Sequence, residues 1–493
     1  MRHTMSIHSL VLWTLSISAA PLACFRGDTQ GLPCSDDDAC NELQCIDGFC
    51  GGPAAPCVSD DQCTSPLTCI AEGCRVPRPG STDAVAVATS DSHTCAILAS
   101  GQMRCWGSNA WWQLGQGLPV DARVSAPPAA DIDLAEDGLS VVKVAPGGYH
   151  ENYPEGGYTC ALLSNGRVKC WGRGTQADPP GPAGWLGYEN LDNIPVPIPP
   201  PTSEVARFIP LEGIHMISAG YLYTCATHGA PTTPGGELVC WGDSLFITGP
   251  EPIGDGKDEV GSLVFLPSVT ASVAVREVVA GPTHVCAIDM TDALWCWGEG
   301  VHGEIGVVPP ANLTTPASLL TDVVHVSVGR LHTCAVKRPA DAVYCWGDNA
   351  EAQLGVDLAL EQANEPTLAD EVQISQGERI LDIVSGHKHN CILVATSDGR
   401  EVRCWGLNHM GQLGLNTDVE PASQPTPHQV KFTTAKGFPV QISAHIGHHT
   451  CAVFSEGEVW CWGSNTFGQL GNSGAPPAVT DGTAWKALPL DPP

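Results

Sequence analysis

Cysteine is the residue in this chain with the most evident chemistry, because thiols form disulfides, bind metals or act as nucleophiles. The 493 residues include 23 cysteines, and seven of them open a Cys-Trp-Gly tripeptide. Each of the seven follows a partner cysteine at a short spacing. The pairs are Cys95 and Cys105, Cys160 and Cys170, Cys225 and Cys240, Cys286 and Cys296, Cys334 and Cys345, Cys391 and Cys404, and Cys451 and Cys461. Matched pairs favour disulfides over a ring of reactive thiols, and therefore an oxidising compartment.

The turn inside a pair predicts how its two cysteines meet. Between Cys95 and Cys105 lies Ala99-Ser100-Gly101, and a three-residue hairpin loop favours a left-handed glycine at its third position. Counting outward from this loop places the cysteines opposite each other in a non-hydrogen-bonded pair, where α-carbons approach most closely. The same count places Cys160 opposite Cys170 in the second pair and Cys451 opposite Cys461 in the seventh. The fourth pair lacks the glycine, and the other three have longer loops that leave their register open.

A tryptophan follows each of the seven cysteines and must point to the opposite side of its strand, because side chains alternate along a strand. We expect the disulfide and the indole to be packing devices on the two faces of each hairpin. The predicted blade-packing residues are Trp106, Trp171, Trp241, Trp297, Trp346, Trp405 and Trp462.

These hairpins are parts of a longer repeat. A β-rich run precedes each hairpin, and Ser/Asp-Asn-x-x-x-Gln-Leu-Gly follows several of them, as in residues 464–471. Successive tryptophans are 49 to 70 residues apart, which accommodates four short strands. The pattern Gly-x-x-His-Thr-Cys-Ala…Cys-Trp-Gly-x-Asn-x-x-Gly-Gln-Leu-Gly resembles the regulator-of-chromosome-condensation repeat. The resemblance covers residues 83–493 and implies an all-β, seven-bladed β-propeller.

Two features depart from that family pattern. The cysteine before Trp-Gly is not general in the family and looks like an adaptation to an oxidising compartment. The second and third units lack a clear Gln-Leu-Gly and carry proline-rich insertions at residues 178–202 and 249–268. The first unit is short of one strand, so we expect the C-terminal residues 485–490 to complete the first blade and clasp the ring.

The N-terminus is typical of an exported protein. Basic residues precede an apolar run at 10–20 that is too short to span a bilayer, so residues 1–23 are predicted to be a signal peptide. Small residues before Cys24 resemble a bacterial lipoprotein cleavage site, with Cys24 lipidated. Ordinary cleavage near Ala20 or Ala23 is the alternative. Residues 24–33 are then a linker.

Residues 34–76 contain two four-cysteine modules, which resemble units common near the N-termini of myxobacterial surface proteins. Their cysteines are Cys34, Cys40, Cys45 and Cys50, then Cys57, Cys63, Cys69 and Cys74. Modules this small need disulfides to hold them, but the spacing leaves the pairing open. Zinc is disfavoured because no Cys-x-x-Cys occurs, and the acidic turns lack a full calcium-binding loop. Residues 77–82 form a second linker.

Histidine recurs at one position of the repeat. It is His93, His284, His332, His389 and His449, with Tyr158 and Tyr223 in the other two units, and further histidines lie at His387, His445 and His448. One interpretation is a polar or metal-binding collar at one mouth of the channel. The interpretation we favour is a repeat-encoded residue that hydrogen-bonds its own blade, because ring symmetry spreads such residues apart.

The net charge and the absence of known catalytic motifs exclude several classes of function. The formal net charge of −30 opposes nucleic-acid binding, and no nucleophile elbow, phosphate loop or His-Glu-x-x-His motif occurs. We predict an outer-membrane, cell-surface, secreted or periplasmic binding scaffold. It is expected to be a monomer and not an enzyme, without cofactor or metal, and to recognise a protein or glycan. Membrane contact is expected only through a lipid on Cys24. The alternatives are an extracellular hydrolase acting on polysaccharide and, by family analogy, a guanine-nucleotide exchange factor.

Overall fold

Every regular element that the structure describes is a β-strand. The computed structural model describes residues 45–46, 49–50, 68–70, 73–75, 78–119, 122–132, 134, 138–148, 157–173, 212–229, 236–242, 274–308, 312–415, 423–474 and 484–487. Four short strands precede the main domain: β1 (Cys45–Ile46), β2 (Phe49–Cys50), β3 (Thr68–Ile70) and β4 (Gly73–Arg75). They form two antiparallel pairs, β1–β2 and β3–β4.

The main domain consists of seven antiparallel sheets, one from each repeat, which we number as blades 1 to 7. Blade 1 contains β5 (Ala84–Thr89), β6 (His93–Leu98), β7 (Met103–Ser108) and β8 (Arg123–Val124). Blade 2 contains β9 (Val141–Gly147), β10 (Tyr158–Leu163) and β11 (Val168–Gly172), and blade 3 contains β12 (Ile214–Ala219), β13 (Tyr223–His228) and β14 (Glu237–Gly242). Blade 4 contains β15 (Val275–Ala280), β16 (His284–Asp289), β17 (Leu294–Gly298) and β18 (Leu313–Leu320).

The remaining blades each have four strands in the described residues. Blade 5 contains β19 (Val323–Val328), β20 (His332–Lys337), β21 (Ala342–Asp348) and β22 (Gln362–Leu368). Blade 6 contains β23 (Arg379–Ser385), β24 (His389–Thr396), β25 (Gly399–Leu407) and β26 (Ser423–Gln429). Blade 7 contains β27 (Pro439–Ser443), β28 (His449–Phe454), β29 (Val459–Gly463) and β30 (Trp485–Lys486). The predicted all-β, seven-bladed propeller is therefore confirmed.

The first strand of each blade is the innermost. These strands contact one another in sequence around the ring, and β27 contacts β5, so the seven surround a central channel. In an antiparallel meander the first and third connections lie at one end of the blade, and the second lies at the other. We call the first end the loop face and the second end the hairpin face.

Each hairpin of second and third strands brings its two cysteines together. The register pairs Cys95 with Cys105, and the pairs separated by longer loops have the same register. All seven disulfides are present, each within one blade, with Cα–Cα distances of 4.0 to 4.2 Å. In the fourth pair, which has no turn glycine, Asp292 takes the left-handed position at φ 61°. The Asp289 carboxylate compensates by accepting hydrogen bonds from Thr291 and from the backbone of Ala293.

The C-terminal strand corrects one prediction. We expected it to complete blade 1, but β30 pairs with β29 and so completes blade 7. Lys486 anchors it, because its ammonium lies 2.6 Å from the Glu458 carboxylate. Each repeat therefore supplies the strands of its own blade in chain order, and the outermost strand closes no seam.

The seam between blades 7 and 1 is closed mainly by side chains, with one backbone hydrogen bond from the Ala84 N–H to the Gly457 carbonyl at 3.0 Å. The Gln441 amide accepts a hydrogen bond from the backbone N–H of Val87 at 2.7 Å and donates one to its carbonyl at 2.9 Å. The Ser443 hydroxyl accepts from the backbone N–H of Thr89 at 3.1 Å. An inner strand of blade 7 thus meets an inner strand of blade 1 without any β-ladder between them.

Replacing Gln441 by alanine is expected to lower the free energy of unfolding by about 2 kcal/mol, because both polar groups of the buried Val87 backbone lose their partner. Urea titration checks this. The matched control is Gln429→Ala, which removes only an exposed amide–carboxylate contact and should change the free energy by less than about 0.5 kcal/mol. Equal effects at the two positions would contradict the role of Gln441 in the seam.

The N-terminal predictions fall mostly outside the described residues. The signal peptide, Cys24 and the first linker lie outside them entirely. In the two modules, backbone register places Cys45 opposite Cys50 and Cys69 opposite Cys74. Within the described part of the chain, no helix has the length and apolar character needed to cross a bilayer.

Candidate functional site: the loop face and channel mouth

The recurring histidines form a belt beneath the loop face. In each blade the side chain bonds to the next blade, so the prediction that it bonds to its own blade was wrong; among the described histidines of the belt only His93 also does so, through Nδ1 and the Ser90 hydroxyl at 2.7 Å. The contacts are His93 Nε2 to Thr159 Oγ1 at 2.9 Å, His284 to Thr333 at 2.8 Å, His332 to Asn390 Oδ1 at 2.9 Å, His389 to Thr450 at 2.8 Å and His449 to Thr94 at 2.8 Å. Tyr158 and Tyr223 complete the belt by donating to the carbonyls of Tyr223 and Gly281, respectively. The belt therefore joins all seven blades.

The belt histidines are neutral, and their tautomer follows from their partners. The hydroxyl of Thr94 donates to the carbonyl of Gln469, so it accepts the hydrogen bond from His449 Nε2. The proton therefore lies on Nε2. In His284, His332, His389 and His449 the Nδ1 atom has no hydrogen-bond partner among the described residues. A second proton, on Nδ1, would bury a positive charge without a hydrogen-bond acceptor to stabilise it.

Burial consequently lowers the pKa values of the belt. They fall from 6.5 to about 3 for His93, His284 and His449 and to about 4 for His332, and the pKa of His389 lies well below 6.5. A buried histidine held neutral in this way is a packing element. The belt carries the loop face and does not present imidazoles to a ligand.

Above the belt, five connecting loops share one rigid frame. In four of them an asparagine Oδ1 accepts from the backbone N–H of the leucine five residues later, as Asn349 does from Leu354 at 3.0 Å. In all five loops, the side chain of a glutamine, or of Glu304 in blade 4, accepts a hydrogen bond from the backbone N–H two residues before it, as Gln353 does from Glu351 at 2.8 Å. We call this glutamine or glutamate the frame residue. The Gln-Leu-Gly motif is therefore a device that fixes loop shape.

The tryptophans lock these frames to the neighbouring blade. Trp171, Trp405, Trp462 and Trp106 donate their indole N–H to the backbone carbonyls of Gln113, Gln353, Gln412 and Gln469, at 2.9 to 3.1 Å. The indoles of Trp241, Trp297 and Trp346 have no acceptor in the described part of the chain. Among the described residues, the contact between indole and frame is therefore formed by four of the seven tryptophans.

The residue that each frame presents differs from blade to blade. At the position two before the frame glutamine or Glu304 stand Trp111, His302, Glu351, Met410 and Phe467, all at least partly exposed. The Arg173 guanidinium lies 4.5 Å from the Trp111 ring centre, and that of Arg123 lies 5.5 Å from that of Phe467. We call these five the display residues. Blades 6, 7 and 1 present apolar side chains, whereas blades 4 and 5 present polar ones.

Glu304 occupies the frame position that is glutamine in the other four loops. It fulfils half of that role, because its Oε2 accepts from the His302 backbone at 2.7 Å. The side chain is fully buried and its Oε1 has no hydrogen-bond partner in the described residues, with His302 Nδ1 3.9 Å away. Burial raises the pKa of Glu304 from 4.5 to about 7.

The variant Glu304→Gln is expected to be more stable than the parent at pH 8, by about 3 kcal/mol. A carboxyl whose pKa is raised on folding contributes fully below its unfolded value of 4.5. That contribution is lost as the pH rises through about 7. Urea titrations at pH 8 and pH 4 should therefore differ between the two proteins at pH 8 only. The exposed Glu365→Gln is the control, and a gain that is the same at both pH values would contradict the explanation.

The extra histidines divide into two groups at the channel mouth. His387 and His448 stack with ring centres 4.2 Å apart. His448 lies 3.0 Å from the Asp91 carboxylate and His387 lies 2.8 Å from the Arg330 guanidinium, so blades 5, 6, 7 and 1 are linked in sequence. Burial, with the charges of neighbouring His448 and Arg330, lowers the pKa of His387 well below its usual value.

His445 lies apart from that stack and crosses the channel. Its Nε2 lies 2.6 Å from the carbonyl oxygen of Ala219 in blade 3, on the opposite wall. The backbone makes this possible at Ile446, which adopts φ 47° just after His445. A collar of convergent histidines is therefore not formed, and the described residues contain no group of three or more potential metal ligands.

The channel wall also holds charged groups from alternate blades. Burial and the negative charge of Glu277 raise the pKa of Asp382 to about 7, and the positive charge of Lys143 opposes this rise. Asp382 is in blade 6, Glu277 in blade 4 and Lys143 in blade 2. This cluster could not be predicted from the sequence, because its members occupy equivalent strands but differ in residue type.

Comparisons with known proteins agree with the repeat. A model of the regulator of chromosome condensation (RCC1) repeat matches residues 84–116, 141–176, 323–353 and 447–469, and a second RCC1 model matches 341–393 and 401–453. The ultraviolet-B receptor UVR8 of Arabidopsis thaliana is 29% identical over 39% of this chain, a match that spans 42% of UVR8. The mitochondrial RCC1 domain-containing protein RUG3 of the same plant is 25% identical over 77% of this chain and 81% of its own length.

A solved structure shows the same fold. Prp20p from Saccharomyces cerevisiae superposes with a TM-score of 0.58 at 19% identity, covering 83% of this chain and 87% of Prp20p. At that identity the likeness concerns the fold alone. The chain therefore carries RCC1 repeats arranged as a seven-bladed propeller.

Proposed function

We propose that this propeller of RCC1 repeats is an exported binding scaffold that recognises a protein partner with its loop face. One observation carries the proposal: five loops have the same buried frame and different exposed display residues. A rigid frame lowers the entropy lost on binding, and variable tips provide specificity. An enzyme, in contrast, needs convergent groups at one place.

The chemistry of the display residues favours a protein partner. Trp111, Met410 and Phe467 lie in consecutive blades, with Arg123 and Arg173 stacked against the two aromatic rings. Aromatic side chains, methionine and arginine are enriched in the cores of protein interfaces and among their energetic hot spots. Prp20p, which shares the fold, was described with binding properties to Gsp1p and histones, so a propeller of this kind can present a protein-binding surface.

The test is partner capture with two matched sets of substitutions. In the display set, Trp111, Met410 and Phe467 are changed to serine. In the control set, three exposed residues at turns of the hairpin face, Asn165, Asp398 and Glu456, are changed to alanine. Each protein is expressed in its source cells with a photocrosslinker, and captured proteins are identified by mass spectrometry.

The display set is expected to lose partners that the parent and the control set retain. Substitution of a hot-spot residue costs at least about 2 kcal/mol, which corresponds to a roughly 30-fold loss of affinity per residue. Loss in the control set with retention in the display set would assign recognition to the hairpin face and overturn the proposal. Circular dichroism must show that both sets remain folded.

Export is part of the proposal. Seven buried disulfides support an oxidising compartment, since cytosolic thiols are kept reduced. Cys24→Ser separates the two predicted routes: fractionation should find the parent with membranes and the variant in the soluble extracytoplasmic fraction. A variant that stays with membranes contradicts lipidation, and a chain whose cysteines are reduced in the cytosol contradicts export.

A further inference from the structure

The large apolar side chains that the structure leaves exposed lie in one part of the ring. All six in the described residues belong to blades 4 and 5. Four of them lie in the loops between third and outer strands: Val301 is 56% exposed, Val308 66%, Leu358 45% and Leu360 39%. We call these four the valine–leucine patch. Single exposed apolar residues are ordinary, but their concentration in two neighbouring loops is not.

The two loops are in contact, so the patch is continuous across the blade boundary. A methyl group on Gly303 would lie 2.7 Å from the carbonyl oxygen of Ala363 and 2.7 Å from Oδ1 of Asn364. Glycine, at φ +81°, lets the blade 4 loop pack directly against the start of β22. Ala363 is three residues after Leu360, which places the valines and the leucines on adjoining loops.

The exposure of the leucines is not a consequence of a loose loop. Asn349 Nδ2 donates to the carbonyl of Leu360 at 2.6 Å and to that of Asp357 at 3.3 Å. The backbone N–H of Leu360 donates to the Asp357 carbonyl at 3.0 Å. The loop is therefore held in one shape with Leu358 and Leu360 outside, where their apolar surface costs free energy unless a partner covers it.

The exposed charges around the patch are acidic. Residues 339–378 contain nine aspartates and glutamates and neither lysine nor arginine, and three of the nine are paired with basic side chains from outside this range: Asp341 with Arg338, Asp348 with Lys388 and Glu378 with Arg403. Five of these acids are exposed on or beside the patch-bearing loop and its outer strand: Asp357, Glu361, Glu365, Asp370 and Glu371. The blade 4 loop, residues 299–308, also lacks lysine and arginine. A ligand that covers the patch must bring positive charge, since like charges across an interface are repulsive.

We propose that the valine–leucine patch docks a basic amphipathic segment of a partner protein, whose apolar side chains cover the patch while its lysines and arginines face the surrounding acids. This inference rests on the proposed binding function and names the chemistry of the partner. Docking uses side chains, because Pro366 interrupts the outer strand and has no N–H to offer to an added strand. A second copy of this chain would place acidic surfaces against each other.

The test measures binding of a labelled amphipathic peptide of leucine and lysine by fluorescence anisotropy. The full chain is compared with a patch variant, Leu358→Ser with Leu360→Ser, and with a matched control, Met290→Ser with Leu368→Ser. The control residues are equally exposed, at 43% and 49%, but lie outside the patch. We expect the patch variant to bind about tenfold more weakly and the control to change less than about twofold. Affinity should fall as salt rises.

Three results would overturn the proposal. They are an equal loss of affinity in patch and control variants, equal binding of the same peptide with glutamate in place of lysine, and a chain dimer that the patch variant dissociates in sedimentation. Failure here is distinguishable from failure of the proposed function. If the parent captures a protein partner and the display set loses it, the proposed scaffold function is supported even when the peptide test shows that the valine–leucine patch has no role in binding.

Discussion

Reduction of the seven blade disulfides is expected to unfold the propeller in buffer where the oxidised chain is fully folded. Each bridge closes a loop of 10 to 15 residues within one hairpin. The chain-entropy model assigns about 3 kcal/mol to such a loop, and seven loops sum to roughly 20 kcal/mol. Proteins of this kind are stable by only about 5 to 15 kcal/mol, so the reduced chain has too little left to remain folded.

The experiment is to unfold the chain in guanidinium, reduce and alkylate it, dilute it, and record tryptophan fluorescence and far-ultraviolet circular dichroism. A sample taken through the same cycle without reductant must recover its native spectra. The double variant Cys334→Ala with Cys345→Ala removes one bridge and should cost about 3 kcal/mol, leaving the fold intact. A fully reduced chain with native spectra and an unchanged denaturation midpoint would show that the bridges do not hold the blades.

Acidification is expected to destabilise the propeller steeply below about pH 6, because the belt histidines must be neutral in the native state. Their pKa values are lowered on folding, so their contribution is fully present above 6.5 and declines as the pH falls towards about 3 to 4. At pH 5 each costs about 2 kcal/mol, or about 10 kcal/mol for five. Glu304 and Asp382, whose pKa values are raised to about 7, act in the opposite direction.

Those two carboxyls offset about half of the loss from the belt. The lowered pKa values of His325, His387 and His445 add to that loss, so the free energy of unfolding is expected to decrease by at least about 5 kcal/mol from pH 8 to pH 5. Urea titrations at several pH values measure it. The informative variant is His389→Gln, which keeps an N–H donor for Thr450 but does not titrate. Its pH slope between 5 and 6 should be shallower by about 1.4 kcal/mol per pH unit. An unchanged slope would contradict a neutral belt histidine at this position.

The local elements could be predicted from the sequence because short-range rules determine them. A glycine at the third turn position and equal numbers of residues on the two sides of the turn fix the register of Cys95 and Cys105 whatever surrounds the hairpin. The same rules were incomplete at the fourth hairpin, where Asp292 takes the glycine's conformation with the support of the Asp289 carboxylate. The number of blades followed from the number of repeats, because every repeat contains the same type of hairpin.

Contacts between blades depended on tertiary structure. The sequence placed His93 and its equivalents at one height of the ring, but only the packing of neighbouring blades shows that Nε2 reaches a threonine 66 residues further along the chain. Closure of the ring was predicted wrongly for the same reason, because the partners of Gln441 lie 354 residues away and belong to no motif. The acidic composition around the leucines of blade 5 is visible in the sequence. Only the folded structure shows that these leucines are exposed, and the inferred binding patch depends on that exposure.

The repeat, its disulfide-bearing hairpins and the all-β ring could be predicted from turn chemistry, strand alternation and spacing. Packing of the blades was needed to show that the histidines bond each blade to the next, that His445 crosses the channel, and that a patch of valine and leucine remains exposed among acids. Hydrogen bonds within a hairpin are encoded within about 15 residues, whereas contacts between blades depend on how whole sheets pack around an axis.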